Sequence, residues 1–213
     1  MQGFLARFRI TLLEFSMPLK DQIKNFTRKL VENKPGADAL ADMVHNNKVT
    51  SIFFENDGIV PNYPKWPLIV HRASVRFRGG FDPATIIDTL FASNGWGRSW
   101  RDTIYNFVHY HSQTHEVLGV ARGDAVVEFG GIKGKRLKVR AGDIVVLPAG
   151  TGHRLIKSSR NFLVVGAYPS SGTYDECTDT RDLPEAKKRI AKVKKPPRDP
   201  VHGKRAGTPL LWR

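Results

Sequence analysis

The feature that most limits the fold of this chain is a series of short strand-like segments between residues 104 and 168. Each segment is rich in β-branched or apolar residues, and turn signals containing glycine or aspartate separate neighbouring segments. The segments are Ile104 to His111, Glu116 to Arg122, Ala125 to Phe129, Arg136 to Val139, Ile144 to Leu147, His153 to Lys157 and Phe162 to Tyr168. Such a series predicts an all-β fold, namely a small antiparallel barrel or jelly roll.

Helical patterns occupy the two flanks of this region. Apolar residues at helical spacing predict an amphipathic helix from Pro18 to Val31, and a shorter helix follows near Ala37 to His45. The pair Asp82-Pro83 predicts a capped helix start, and Leu183 to Ile190 predicts a short helix near the end. We therefore expect an N-terminal extension over residues 1–50, the barrel over 51–180 and a C-terminal tail over 181–213.

Four side chains within the barrel could bind a metal ion: His109, His111, Glu116 and His153. Because residues i and i+2 of a strand point to the same face, His109 and His111 can aim two imidazoles at one point. Glu116 follows a short polar turn and would return a carboxylate from the next strand. Three nitrogens and one carboxylate suit Fe, Mn, Ni, Cu or Zn better than Mg or Ca, which prefer oxygen ligands.

The same residues lie in two motifs that resemble the signature motifs of the cupin superfamily. The first motif is His109-x-His111-x4-Glu116-x6-Gly123, and the second is Gly142-x5-Pro148-x-Gly150-x2-His153. The chain has Thr103 where the first motif normally begins with Gly, and Lys157 where the second normally ends with Asn. Neither position is a ligand, so the resemblance implies a cupin jelly-roll barrel with one divalent transition metal held by these three histidines and the glutamate.

The resemblance extends beyond the two motifs. The run from Asn94 to Arg101, the segment from His109 to Gly119 and the segment from Val164 to Pro169 are similar to small single-domain cupins whose biochemical role is largely unassigned. Similar cupins accompany fungal polyketide pathways as oxidoreductases of secondary metabolism. The resemblance also implies a homodimer, because cupins of this kind commonly pair through their sheets.

Five further residues are candidates for the pocket around the metal. Alternation along the strand aims Tyr105 and Phe107 inward with the two histidines, although aromatic residues also simply fill barrels. Tyr105 or His115 could transfer a proton. His115 could instead have a structural role away from the metal, because it should face the side of the strand opposite to Glu116. Trp100 and Arg101 lie just upstream and could stack on a ring or bind a substrate carboxylate.

Four protein ligands leave an octahedral metal with two open positions, which favours catalysis over a closed structural site. We therefore expect an oxidoreductase of dioxygenase or oxidase type that acts on a small aromatic or polyketide-like metabolite, with Fe favoured for oxygen chemistry. Two alternatives stay open. One is a redox-neutral isomerase or hydrolase that uses the metal as a Lewis acid, and the other is a non-catalytic cupin that binds a small ligand.

The net charge of +14 is concentrated at the end of the chain, where Arg181 to Arg213 contains eleven Lys or Arg residues against three acids. The basic runs contain no interleaved aromatic residues to stack on bases, which argues against nucleic acid as a partner. The apolar residues Leu210, Leu211 and Trp212 predict that the tail wraps the barrel and is anchored there.

The remaining features concern the location of the protein. No apolar run approaches the roughly 20 residues that a membrane span needs, and the single cysteine, Cys177, agrees with a reducing compartment. We expect a cytoplasmic protein. Met1 to Ser16 is basic and apolar and could be an organelle-targeting segment or an extra leader, whereas Arg7 and Arg9 argue against a secretory signal.

Overall fold

The computed structural model describes residues 33–78, 80–170 and 173–213. The helix predicted from Pro18 to Val31 and the leader from Met1 to Ser16 lie outside this part of the chain. Within the described residues, no helix is both long and apolar enough to cross a membrane.

Two antiparallel sheets form the body of the protein. The strands are β1 Val49–Ile52, β2 Leu68–His71, β3 Trp96–Asp102, β4 Glu116–Arg122, β5 Asp124–Phe129, β6 Lys135–Arg140, β7 Ile144–Leu147, β8 His153–Ser158 and β9 Leu163–Pro169. Six strands form one sheet in the order β1-β2-β7-β4-β9-β3, and three form the other in the order β6-β5-β8. The predicted all-β fold is confirmed, and the bounds of β4 and β7 agree with the sequence prediction.

In the described residues, four short α-helices accompany the sheets, with a 3-10 turn at Thr180–Asp182: α1 Ala37–Met43, α2 Pro83–Ser93, α3 Leu183–Ile190 and α4 Thr208–Leu211. The predicted start of α2 is confirmed, because the carboxylate of Asp82 accepts a hydrogen bond from the backbone N–H of Thr85 at 3.0 Å. The buried face of α2 lies against the six-stranded sheet. It fits closely at Gly119, where an added Cβ would lie 2.7 Å from a methyl group of Ile87.

Both faces of the six-stranded sheet are buried, and strand alternation assigns each residue to one face. Leu118 and Val120 of β4 belong to the core between the two sheets. Val117 and Ala121 belong to the core on the other side, which α2 and the C-terminal tail cover. Glu116 therefore points between the sheets, while its neighbour His115 points towards the tail.

The C-terminal tail contributes Trp212 to the core on this outer face. Trp212 is fully buried; its indole N–H donates to the carbonyl of Pro67 at 2.8 Å, and its ring stacks on Trp66 at 5.3 Å between centroids. Leu210 and Leu211 are 50% and 38% exposed, so the prediction that they share in the anchor is wrong. A four-residue helix turns these two leucines outward while the following tryptophan enters the core.

Two segments differ from the strand prediction. Trp96–Asp102 forms β3 at the edge of the large sheet, although its glycine and arginine content gave no clear alternation. The segment from Ile104 to His111 is not a continuous strand, because only His109 and Tyr110 make bridges, to His153 and Cys177 respectively. This segment changes partner after one residue pair, which prevents a regular ladder.

Candidate metal centre

Backbone pairing brings His109 and His153 side by side. The N–H of His109 donates to the carbonyl of His153 at 3.2 Å, and the N–H of His153 donates back at 2.9 Å. His111 lies two residues further along and faces the same space. Ring nitrogens of these three buried histidines lie within 4.8 Å of one another, so the cluster could hold a metal ion.

Backbone carbonyl groups fix the orientation of all three rings. The Nδ1 atom of His109 lies 3.3 Å from the carbonyl of Phe107, that of His153 lies 3.2 Å from the carbonyl of Thr151, and that of His111 meets the carbonyl of Asp175. A carbonyl can only accept a hydrogen bond, so each Nδ1 carries the proton. In the neutral form of each imidazole, the Nε2 lone pair is therefore left for a ligand, as in histidines that bind metals.

Glu116 supplies a carboxylate oxygen at the same point. Its Oε2 lies 3.2 Å from Nε2 of His153 and 3.4 Å from Nε2 of His111. Neither approach has hydrogen-bond geometry, and this oxygen is buried without a hydrogen-bond partner among the described residues. A buried carboxylate oxygen without a partner is costly, and a cation between it and the imidazoles would remove that cost. The donor set therefore fits a divalent transition metal.

The electrostatics of the cluster favour a positive charge near Glu116. Burial would lower the pKa of His111, but the adjacent Glu116 carboxylate and the Asp175 carbonyl outweigh burial and raise it to about 9. Burial and the neighbouring His153 lower the pKa of His109 to about 3, so this imidazole is neutral. Burial alone would raise the pKa of Glu116, yet the two facing histidines hold it below its usual range. The carboxylate thus stays charged in the protein interior.

An open cavity of about 390 Å³ adjoins the four side chains. This volume lies within the usual range for small-molecule sites. Several of its lining residues are aromatic or carry a charge: Arg98, Trp100, Arg101, Asp102, Tyr105, Tyr168, Tyr174 and Glu176. The cluster is therefore accessible to a small molecule from one side.

The predicted pocket residues are found in different places. Trp100 and Tyr105 line the cavity, and the Tyr105 ring lies 5.2 Å from that of His109. Phe107 stacks on the outer side of Tyr105 at 4.8 Å and is 43% exposed. Phe107 is not among the residues that line the cavity, so its predicted contact with substrate is not supported.

Arg101 does not have the orientation predicted for a substrate-binding group. Although its chain borders the cavity, its guanidinium forms an ion pair with Asp88 and lies 3.5 Å from Asp82. Asp88 lies in the middle of α2, and Asp82 is the residue that caps its start. The prediction that Arg101 binds substrate is corrected on this ground, since its charge is already neutralised.

His115 is also corrected as a candidate for proton transfer. The Nδ1 atom of this buried histidine accepts the N–H of Ala149 at 2.9 Å, and Nε2 faces the carbonyl of Lys194 at 3.2 Å. Its ring lies 4.7 Å from that of Trp212 on the outer face of the sheet. Burial lowers its pKa to about 3. The structural interpretation of His115 is therefore the right one.

The cavity residues that were not among the sequence candidates include Arg98, Tyr168 and Tyr174. Gly97 in an otherwise strand-like run is typical of a bulge and could have drawn attention to Arg98. Tyr168 shares strand parity with Val164, which faces the core between the sheets, so alternation could have placed it inward. Nothing in the sequence indicated Tyr174, because its position depends on how the chain crosses the cavity after β9.

Residues 173–177, which we call the strap, cross one side of the metal cluster. The Asp175 carboxylate accepts hydrogen bonds from the N–H groups of Ser112 at 2.8 Å and Gln113 at 3.0 Å. Cys177 continues the strap by pairing with Tyr110. The carbonyl of Asp175, which binds Nδ1 of His111, is thereby held in place from both sides.

Comparison with known proteins identifies the family of this chain. Residues 105–164 match the family model of the cupin domain. The uncharacterized protein YjlB of Bacillus subtilis (strain 168) is 39% identical over 161 residues, which cover 75% of this chain and 94% of that protein.

Two solved structures are also similar, at lower identity. Acireductone dioxygenase from Bacillus anthracis with a cadmium ion in its active centre is 14% identical, with 42% of this chain and 61% of that chain covered and a TM-score of 0.31. A deletion mutant of Bacillus subtilis oxalate decarboxylase is 14% identical, with 79% and 48% covered and a TM-score of 0.34. The chain thus spans less than two thirds of either. On the cupin-domain match and the identity to YjlB, this protein belongs to the cupin superfamily and is a relative of YjlB.

Proposed function

We propose that this protein is a mononuclear metal-dependent oxidoreductase, of dioxygenase or oxidase type, that acts on a small aromatic or polyketide-like metabolite. The observation that carries the proposal is the set of three Nδ1-anchored histidines beside the buried, unpartnered Oε2 of Glu116. We infer that His109, His111, His153 and Glu116 hold one divalent metal ion, for which iron is favoured.

Each part of the site would have a separate task. A bound redox-active metal would supply electron exchange with dioxygen and Lewis acidity towards a substrate oxygen. The carbonyl groups of Phe107, Asp175 and Thr151 keep the Nε2 atoms directed at one point. Such preorganised ligands lose little conformational entropy when an ion binds. The two sheets bury the cluster, and the cavity opens it to small molecules.

The walls of the cavity suit a flat substrate. The Trp100 indole donates to the Tyr168 hydroxyl at 3.0 Å, which fixes both rings. Tyr174 stacks on Tyr168 at 5.2 Å. Fixed aromatic rings bind conjugated molecules at low entropic cost. Tyr105 is half exposed at the rim next to His109, and we propose that its hydroxyl transfers a proton to or from the substrate.

Matched variants test the assignment through metal content and substrate-dependent oxygen uptake. His111→Ala and His153→Ala should lose metal and activity together, because each removes one nitrogen donor. Tyr105→Phe should keep the metal and lose about 10- to 10⁴-fold in turnover if the hydroxyl transfers a proton. His45→Ala is the control, since His45 lies outside the cluster and the cavity. Full metal content in both histidine variants would refute the ligand assignment.

The same measurements separate the alternatives. Substrate conversion that proceeds equally well without oxygen would favour a redox-neutral isomerase or hydrolase. Tight binding of a small acid by a metal-loaded protein that converts nothing would favour a non-catalytic cupin. Substrate-dependent oxygen uptake that disappears with the metal supports the oxidoreductase.

A further inference from the structure

Arg98 presents an unpaired positive charge to the cavity beside the metal cluster. Its chain lines the cavity, and its guanidinium carbon lies 6.0 Å from the centroid of the Tyr168 ring. In the part of the chain that the structure describes, the Arg98 guanidinium makes no hydrogen bond and no ion pair. Arg101, three residues later, is instead neutralised by Asp88.

The backbone at Arg98 is in an uncommon conformation. The pairing of β3 with β9 shifts register between Gly97 and Trp100, and Arg98 within this irregularity has a φ of 50°. Positive φ is unfavourable for a residue other than glycine, because its Cβ approaches the backbone. The bulge directs the arginine to the cavity although no carboxylate of the described chain forms an ion pair with it there. Such a local cost is typical of positions that serve a ligand.

The acidic residues of the cavity do not neutralise Arg98. The Asp102 carboxylate accepts the N–H of Thr103 at 2.7 Å, and Glu176 is an exposed residue of the strap. Neither forms an ion pair with Arg98 in the described structure. The net charge of +14 also favours the approach of anions over a long range.

We propose that Arg98 binds the carboxylate of the substrate, so that the substrates are small aromatic or conjugated carboxylic acids. This inference rests on the proposed function, because it assumes that the cavity beside the metal cluster is the substrate site. A guanidinium presents two parallel N–H donors, which match the two oxygens of a carboxylate. The Tyr168 ring would support one face of the guanidinium by a cation–π contact, which leaves its edge for the acid.

Binding measurements test the inference without requiring turnover. The protein loaded with Zn²⁺, which has no redox chemistry, is titrated calorimetrically with benzoate and with benzamide. These two probes have the same ring and nearly the same shape but differ in charge. We expect benzoate to bind about 10- to 100-fold more tightly, the range that charge-assisted hydrogen bonds supply.

Variants identify the source of this preference. Arg98→Gln should remove it, and Arg98→Lys should keep part of it, because a lysine retains the charge but not the paired donors. Arg160→Gln is the matched control, since it removes the same charge from an exposed turn outside the cavity. Because the contact that the Arg98 guanidinium makes in the described chain is a 6.0 Å cation–π approach to Tyr168, its variants should melt close to the wild-type temperature.

Three results would overturn the inference: no saturable benzoate binding, equal affinity for the two probes, or an undiminished preference in Arg98→Gln. Failure of the proposed function would be seen differently. A preference that depends on Arg98, in a protein that shows no oxygen uptake with any acid, would leave the anion site standing and refute only the oxidoreductase.

Discussion

The Asp175 carboxylate is the point where the strap is fixed to the turn that follows His111. It accepts the N–H groups of Ser112 and Gln113 at 2.8 and 3.0 Å and the Cys177 thiol at 3.3 Å. The backbone carbonyl of the same residue binds Nδ1 of His111. Asp175→Ala keeps this carbonyl but removes the side chain that holds it, so we expect both stability and metal affinity to fall.

The structure sets the size of both effects. A hydrogen bond to a charged group contributes about 1.5 to 3 kcal/mol, and two backbone donors to one partly buried carboxylate do not add fully. We therefore expect Asp175→Ala to lower the free energy of unfolding by about 2 to 4 kcal/mol. Loss of support behind a metal-binding histidine typically weakens metal affinity about 10- to 100-fold.

The assay combines thermal unfolding of the metal-free protein with competition against a chelator for Zn²⁺ or Fe²⁺. Asp175→Asn is the informative partner variant, since it keeps one oxygen acceptor and should recover part of both losses. Asp42→Ala controls for charge, because the Asp42 side chain is 71% exposed and lies 3.9 Å from Arg78. If Asp175→Ala were less stable but bound metal with wild-type affinity, the strap would not orient His111 and the reasoning would be wrong.

Three further predictions concern packing and pH. Trp212→Ala should lower the free energy of unfolding by about 3 to 5 kcal/mol, because the indole is fully buried; an unchanged urea midpoint would contradict this. Gly166→Ala should lower the free energy of unfolding by about 1 to 3 kcal/mol and alter tryptophan fluorescence, since the added Cβ would lie 2.0 Å from the Trp100 ring. Gly97→Ala is the control, because a Cβ at Gly97 would meet nothing within 4 Å. Burial would raise the pKa of Asp199, but the hydrogen-bonded His71 and backbone N–H groups lower it. The charged carboxylate therefore stabilises the protein fully at pH values above the pKa that Asp199 has in the unfolded chain. This stabilisation is lost as the pH falls through the lower pKa of the folded protein. The difference in unfolding free energy between wild type and Asp199→Asn should therefore shrink below about pH 4, and a difference that is constant from pH 7 to 3 would argue against this linkage.

Strand alternation made much of the fold and the metal cluster predictable from the sequence. The bounds of Glu116–Arg122 and Ile144–Leu147 followed from continuous apolar runs that end at turn residues. The placement of His115 and Glu116 on opposite faces followed from the same period of two. The motif spacing, together with the cupin resemblance, brought the three histidines into one cluster. The homodimer and the cytoplasmic location stay predictions.

The remaining features depend on irregular backbone and on contacts between distant residues. The bulge before Trp100 breaks the period of two, so the sequence did not indicate that Arg98 would line the cavity while Arg101 pairs with Asp88. The environment of His115 depends on the carbonyl of Lys194, which lies 79 positions away in the chain. Neither the bulge nor this contact has a local sequence signal strong enough to specify it.

The two walls of the cavity differ in how freely they can change. Tyr174 and Glu176 flank Asp175 in the strap, so a substitution there that alters the backbone also disturbs the support of His111. Arg98 and Trp100 lie on the edge strand β3, which pairs with β9. None of the four candidate ligands belongs to either of these two strands. New substrate preferences should therefore arise by substitution on this edge strand, and a directed-evolution library placed there should retain more metal-loaded variants than one placed in the strap.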